Sequence, residues 1–141
     1  MARKKAATAI IDNLQLQAIE LLSSTLKPPV ETKGGDVDYL FDIGIEHRVS
    51  EADKLVFVMV SVTIRIDDRP EALGSLVSSC IFQIGTFEEV VLSGPDGNFQ
   101  LSKKLAGIVN DISISTTRGL MFATFKGTFL HNAVLPVVNA I

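Results

Sequence analysis

From residue 37 onward, apolar and polar residues alternate with a period of two. Tyr39, Phe41, Ile43 and Ile45 alternate with Asp38, Leu40, Asp42, Gly44 and Glu46, the pattern of a strand with one apolar and one largely acidic face. Between Leu55 and Ile66 the β-branched residues Val56, Val58, Val60, Val62, Ile64 and Ile66 keep the same period. That stretch is long for a strand, since the usual length is about 5–6 residues. Asp67-Asp68-Arg69-Pro70 has the composition of a turn. Leu73 to Phe87 predicts a third long strand centred on Val77, Ile81, Phe82, Ile84 and Phe87. Three consecutive strands joined by short turns form an antiparallel meander.

The segment before them fits two periods. Ile10, Ile11, Leu14, Ala18, Leu21 and Leu22 make a helical stripe, whereas Leu14, Leu16, Ala18 and then Ile19 and Leu21 make a strand that is apolar on parts of both faces. Pro28-Pro29 ends the segment and Gly34-Gly35 follows as a loop. After the loop Ser93–Asn98, the residues Leu101, Leu105, Ile108, Ile112, Ser115, Gly119 and Phe122 step by four and three, which is a helical seam. The spacing predicts a helix from about Phe99 to Phe125, roughly 40 Å long at 1.5 Å per residue. Lys126 falls in its last turn, and Gly127 is the left-handed residue that stops it. Ile112, Ile114, Thr116, Thr117 and Gly119 are poor helix formers, so packing must stabilise it. Ser115, Gly119 and Ala123 form a strip without bulk, which permits close approach of another helix or a sheet, and they are the expected oligomer interface. The tail Thr128 to Ile141 is apolar, punctuated by Pro136 and too irregular for a helix. Strands followed by a helix place the chain in the α+β class.

The length of 141 residues fits one domain. We expect a basic flexible arm over residues 1–12 and a single domain over 13–141. The composition is 47% hydrophobic and the mean hydropathy is +0.35. A membrane span needs about 20 consecutive apolar residues, and the longest run here is Leu55 to Val60. Arg3-Lys4-Lys5 begins like a signal peptide, but the apolar stretch after it soon meets Asp12. The expectation is a cytoplasmic protein without an integral membrane segment, whose excess apolar surface serves self-association or client binding.

Catalytic motifs do not emerge. The single Cys excludes an internal disulfide and any all-cysteine metal site. Cys80 falls mid-strand, as a buried inert thiol does. His47 lies at a strand end between Glu46 and Arg48, and His131 lies in the tail without a second ligand at metal spacing. Gly94-Pro95-Asp96-Gly97 is a turn lacking the Lys and Gly spacing of a phosphate loop. Asp67-Asp68 and Glu88-Glu89 are solubilising charges near strand ends. The acidic stretch from Glu31 to Asp53 reads as a solvated face protecting a sheet edge, or as a surface for a basic partner. We therefore expect no enzyme, no cofactor and no metal. The net charge of −3 argues against a nucleic-acid partner.

Several groups of residues resemble one family over nearly the whole chain. They are Leu14-Gln15-Leu16-Gln17-Ala18-Ile19, Val56 to Ile66 and Ile81-Phe82-Gln83-Ile84, then Thr117-Arg118-Gly119, Lys126-Gly127-Thr128-Phe129 and Leu135-Pro136-Val137-Val138-Asn139. In that order and spacing they resemble the bacterial preprotein-export chaperone SecB and its relatives. The resemblance implies a four-stranded antiparallel sheet, with a long helix packed on it and the first segment as a strand. It also implies a dimer or dimer of dimers. The implied function is ATP-independent holding of unfolded or nascent polypeptides in apolar grooves, often before export. Groove candidates, chosen by position and apolar character, are Phe41, Phe57, Phe82, Phe122, Phe125, Phe129, Leu130 and Val134. Relatives usually continue past the Pro-x-x-Asn element into a second helix that covers the groove, so the groove here is expected to be less covered or covered by a partner. The export members dock the motor SecA on acidic residues, where this chain has Ser23, Lys27 and Ser75; SecA docking is not expected. Two other readings stand beside this one. The first is an adaptor that uses the fold for assembly, its groove filled by its own tail from Leu130 to Ile141. The second is a hot-dog-type enzyme, which needs an acidic or His residue at a helix start that here offers Asn98, Gln100, Ser102 and Lys103.

Overall fold

In a computed structural model, which describes residues 14–28, 38–66, 70–94 and 98–137, four long strands form one antiparallel sheet. These are β1 (Leu14–Leu26), β2 (Tyr39–Ser50), β3 (Leu55–Ile66) and β4 (Ala72–Ile84). A short helical turn α1 (Phe87–Val90) and a small hairpin, β5 (Val91–Ser93) with β6 (Phe99–Leu101), lead into the long helix α2 (Lys103–Phe125). The expected arm over residues 1–12, the Gly34-Gly35 loop and the end of the tail lie outside the described residues.

The spatial order is β1-β4-β3-β2. β2, β3 and β4 form the expected meander, and β1 returns to pair with β4 in a Greek-key arrangement. β3 is central, and Val56, Val58, Val60, Val62 and Ile64 on it are at most 1% exposed. Side chains opposite one another in an antiparallel pair share a face. The register therefore puts Phe41, Ile43 and Ile45 of β2 with Leu76, Ser78, Cys80 and Phe82 of β4 on that same buried side. Helix α2 packs over β3 and β4 on this side.

The first segment is a strand, and its double period has a physical cause. Leu14 pairs with Ile84 and Leu16 with Phe82, but the register then shifts, so that Ile19 pairs with Cys80 and Leu21 with Ser78. A second shift between Leu21 and Ser23 brings Leu26 opposite Gly74. Each extra residue, Gln17 and then Leu22, restores the apolar side chains to the helix side, which strict alternation would have sent to the other.

Two boundaries and the buried face of the helix differ from the sequence pattern. α2 begins at Lys103 and not at Phe99, because Phe99–Leu101 pairs with β5 and Ser102 caps the helix, accepting from the Leu105 N–H at 3.2 Å. β4 ends at Ile84, and Phe87 belongs to the turn α1, where its ring meets Phe99 edge-on at 6.4 Å. The seam of α2 is also displaced. Leu105, Val109, Ser113, Thr117, Met121 and Phe125 are buried at steps of four, with Gly107, Asn110 and Ile114 buried beside them. Ser115, Gly119 and Phe122 are exposed. The stop is where expected: the helix ends at Phe125, and Gly127 has φ +80°.

Candidate functional site

The displaced seam follows from what lies beneath α2. Ser78 on β4 and Thr117 on α2 are fully buried and joined by a 2.8 Å hydrogen bond. The Thr117 hydroxyl donates to the Ser113 carbonyl at 2.6 Å, so Ser78 is the donor of the pair. These short polar residues bring helix and sheet together and turn Phe122 away from the core. Cys80, completely buried, lies beside Ser113 and Thr116; burial pushes its thiol pKa up, against smaller opposing contributions from the two hydroxyls. It is a core residue, as its mid-strand position implied.

Beyond Gly127 the tail doubles back along α2. Leu130, Ala133 and Leu135 enter the core at 1%, 5% and 1% exposure. Arg118 fastens the tail to the helix by donating to the carbonyls of Leu135 (2.7 Å) and Pro136 (2.9 Å). The Tyr39 hydroxyl donates to the Phe129 carbonyl at 3.3 Å and joins the tail to β2. Between tail and helix lies a cavity of about 410 Å3, lined by Ser115, Arg118, Gly119 and Phe122 of α2 and by His131, Ala133 and Val134 of the tail. The His131 ring stands 5.7 Å from that of Phe122.

The expected groove residues divide among several places. Phe122 and Val134 are 55% and 58% exposed and meet at this cavity, and the exposed Phe129 belongs to the same tail. Phe82, Phe125 and Leu130 are built into the core and offer no surface in this conformation. Phe41 is half-buried on the helix side of β2. Phe57 pairs with Arg48 and Ile81 and sits on the opposite face of the sheet. Of the expected interface strip, Ser115 and Gly119 line the same cavity as Phe122, and Ala123 is exposed next to Phe122 on α2. His47 takes part in the packing: its Nε2 lies 2.6 Å from the Asn110 side-chain oxygen on α2 and ties β2 to the helix.

The sequence pattern did not single out the helix side of β1 as a surface. Leu16, Ile19, Leu21 and Leu26 share that side, and with Leu22 they are 40–48% exposed. β1 is also an edge strand. The signal was present as the double period, but the two bulges hid which side the leucines share. A smaller cavity of about 280 Å3 lies around Gly44, Glu46, Met59, Ser61 and Val77. Among the described residues, no group of three or more His, Cys, Asp or Glu is placed to hold a metal ion, and no helix is long and apolar enough to cross a membrane.

No family model matches the chain, and no curated protein matches it by sequence. A solved structure does match: the Mycobacterium tuberculosis SecB-like chaperone Rv1957, in complex with a ChAD peptide from the Rv1956 HigA1 antitoxin. The TM-score is 0.64 over 96% of each chain, at 15% sequence identity. The likeness lies in the course of the backbone. The four-stranded antiparallel sheet with its one long C-terminal helix is the SecB-like fold.

Proposed function

We propose that this protein is an ATP-independent chaperone, a holdase that keeps unfolded or nascent polypeptides from aggregating. The observation that carries this reading is the apolar surface left open beside α2, where Phe122 and Val134 stand 55% and 58% exposed at a cavity and Phe129 of the same tail is 38% exposed. Exposed apolar clusters of this kind mark interaction surfaces. Client segments lie against these side chains through many weak contacts, and several protomers engaging one client add avidity. The fold shared with a chaperone solved in complex with a peptide supports the same reading.

Self-association is part of the proposal. A long apolar edge strand exposed to solvent invites uncontrolled pairing, and covering each half-exposed aliphatic of β1 contributes on the order of 1 kcal/mol. We assign β1 to contact with a second copy, in a dimer or dimer of dimers. Ser115, Gly119 and Ala123 belong in this reading to the client surface or its margin, since a helix of a second copy packed on Gly119 would close the cavity. The protein acts in the cytoplasm, and any part in export proceeds without SecA docking on Ser23, Lys27 and Ser75.

The test is aggregation of a reduced, refolding client followed by light scattering. A tenfold excess of the protein is expected to suppress it without ATP; unchanged scattering overturns the holdase. One observation favours the adaptor as a second reading, namely that Leu130, Ala133 and Leu135 of the tail already fill space beside α2. An adaptor would form the same oligomer and leave client aggregation untouched.

A further inference from the structure

The cavity between α2 and the tail has a chemical bias that the capture of apolar segments does not use. Its apolar lining is Gly119, Phe122, Ala133 and Val134, and the polar side chains added to it are Arg118, His131 and Ser115. None of these lining residues is acidic. Arg118 is held in place by its bonds to the carbonyls of Leu135 and Pro136, made through Nε and one terminal nitrogen. Its other terminal nitrogen has no partner among the described residues. A guanidinium fixed in this way has already lost its rotamer freedom, so engaging an anion costs little further ordering.

We propose that this cavity binds the C-terminal residue of an extended polypeptide. The terminal side chain packs against Phe122, Ala133 and Val134, and the free α-carboxylate accepts hydrogen bonds from Arg118, with His131 beside it. Capture of chain ends through their carboxylate is a recurrent mode of peptide recognition. The cavity is partly open to solvent, which fits a chain that enters with its end and leaves through the opening. The inference rests on the polypeptide-binding reading and narrows the client from apolar segments in general to apolar chain ends.

Two short fluorescent peptides of one apolar sequence, ending in a free carboxylate or in an amide, test it by anisotropy. The carboxylate form is expected to bind about tenfold tighter, as a charge-assisted hydrogen bond allows. A Cβ built at Gly119 meets nothing within 4 Å, so Gly119→Leu fills the cavity without moving the backbone, and a thermal melt verifies its fold. In that variant the carboxylate preference is expected to disappear. Equal affinity of the two peptides for the unaltered protein overturns the chain-end site and leaves polypeptide binding standing. Failure of both peptides to bind overturns both. A preference that survives Gly119→Leu overturns the cavity as its location. N-acetylphenylalanine competing as well as the peptide itself would assign the site to free small carboxylates and overturn the chain-end reading.

Discussion

Single atoms decide the packing at Gly74. A Cβ there would stand 2.5 Å from the Leu130 Cδ1 atom and 3.2 Å from the Thr25 carbonyl. Leu130 is 1% exposed and cannot swing into solvent. Gly74→Ala is therefore expected to destabilise the fold by about 1–3 kcal/mol, the range for overpacking a core, measured as a lower midpoint in urea. On the solvated side of the sheet, Arg65 grips Asp42 with two bonds, Nε to Oδ2 at 2.8 Å and a terminal nitrogen to Oδ1 at 3.3 Å. That hydrogen bonding, more than the charge of Arg65, holds the Asp42 carboxyl below its ordinary pKa. A lowered folded-state pKa gives stability that is present above the unfolded carboxylate pKa. It is lost as pH falls through the folded value. Arg65→Leu is expected to return the Asp42 titration, followed by carboxyl NMR, to the ordinary range; an unmoved midpoint would disprove the grip.

The association of α2 with the sheet is where elements meet through polar chemistry. Ser78 donates to Thr117, and Thr117 donates to the Ser113 carbonyl, all within a region closed to water. Thr117→Val keeps the volume but strands the Ser78 hydroxyl, so it should cost about 1–3 kcal/mol. Adding Ser78→Ala removes the stranded donor and should recover part of that loss, so a double-mutant cycle of melting curves is expected to show coupling between the two sites. The predicted seam ran through Leu105, Ile108, Ile112, Ser115, Gly119 and Phe122. Leu105 was rightly placed and Ile112 packs partly buried against the core, but Ser115, Gly119 and Phe122 lie away from the sheet because a hydropathy pattern ranks Ser113 and Thr117 as outward-facing. The contact with Ser78 and Cys80 reverses that ranking. The same reversal puts Phe122 in the open beside the cavity.

At the scale of the whole molecule, the question is how its apolar surface is covered. The five aliphatic side chains Leu16, Ile19, Leu21, Leu22 and Leu26 lie on one edge strand, each near half exposure. If a second copy covers them, placing charge there should release it. The pair Ile19→Glu and Leu21→Glu is expected to reduce the mass in sedimentation equilibrium to that of a single chain. Folding should survive, because neither side chain belongs to the buried core. A single-chain mass for the unaltered protein would refute association through β1. The tail serves the same end from the other flank, since its core residues Leu130, Ala133 and Leu135 close part of the space beside α2.

Local pattern was enough to determine the three strands of the meander, the long helix after them, the α+β class, the stop at Gly127 and the buried Cys80. Each of these depends on residues near one another in sequence, where period and turn chemistry act directly. The resemblance carried by the scattered groups of residues added the first segment as a strand, and with it a four-stranded sheet on which the helix packs. Tertiary structure alone decided the rest. Two bulges in β1 reset which side its leucines face, and a bulge is set by the partner strand some 60 residues away, from Leu16 opposite Phe82 to Leu26 opposite Gly74. The rotation of α2 was fixed by how closely Ser78 and Thr117 could meet. That rotation sent Phe125 into the core and Phe122 to the surface, although both are the same residue in an apolar neighbourhood. Composition counts apolar residues; only long-range packing determines which of them remain for a partner to cover.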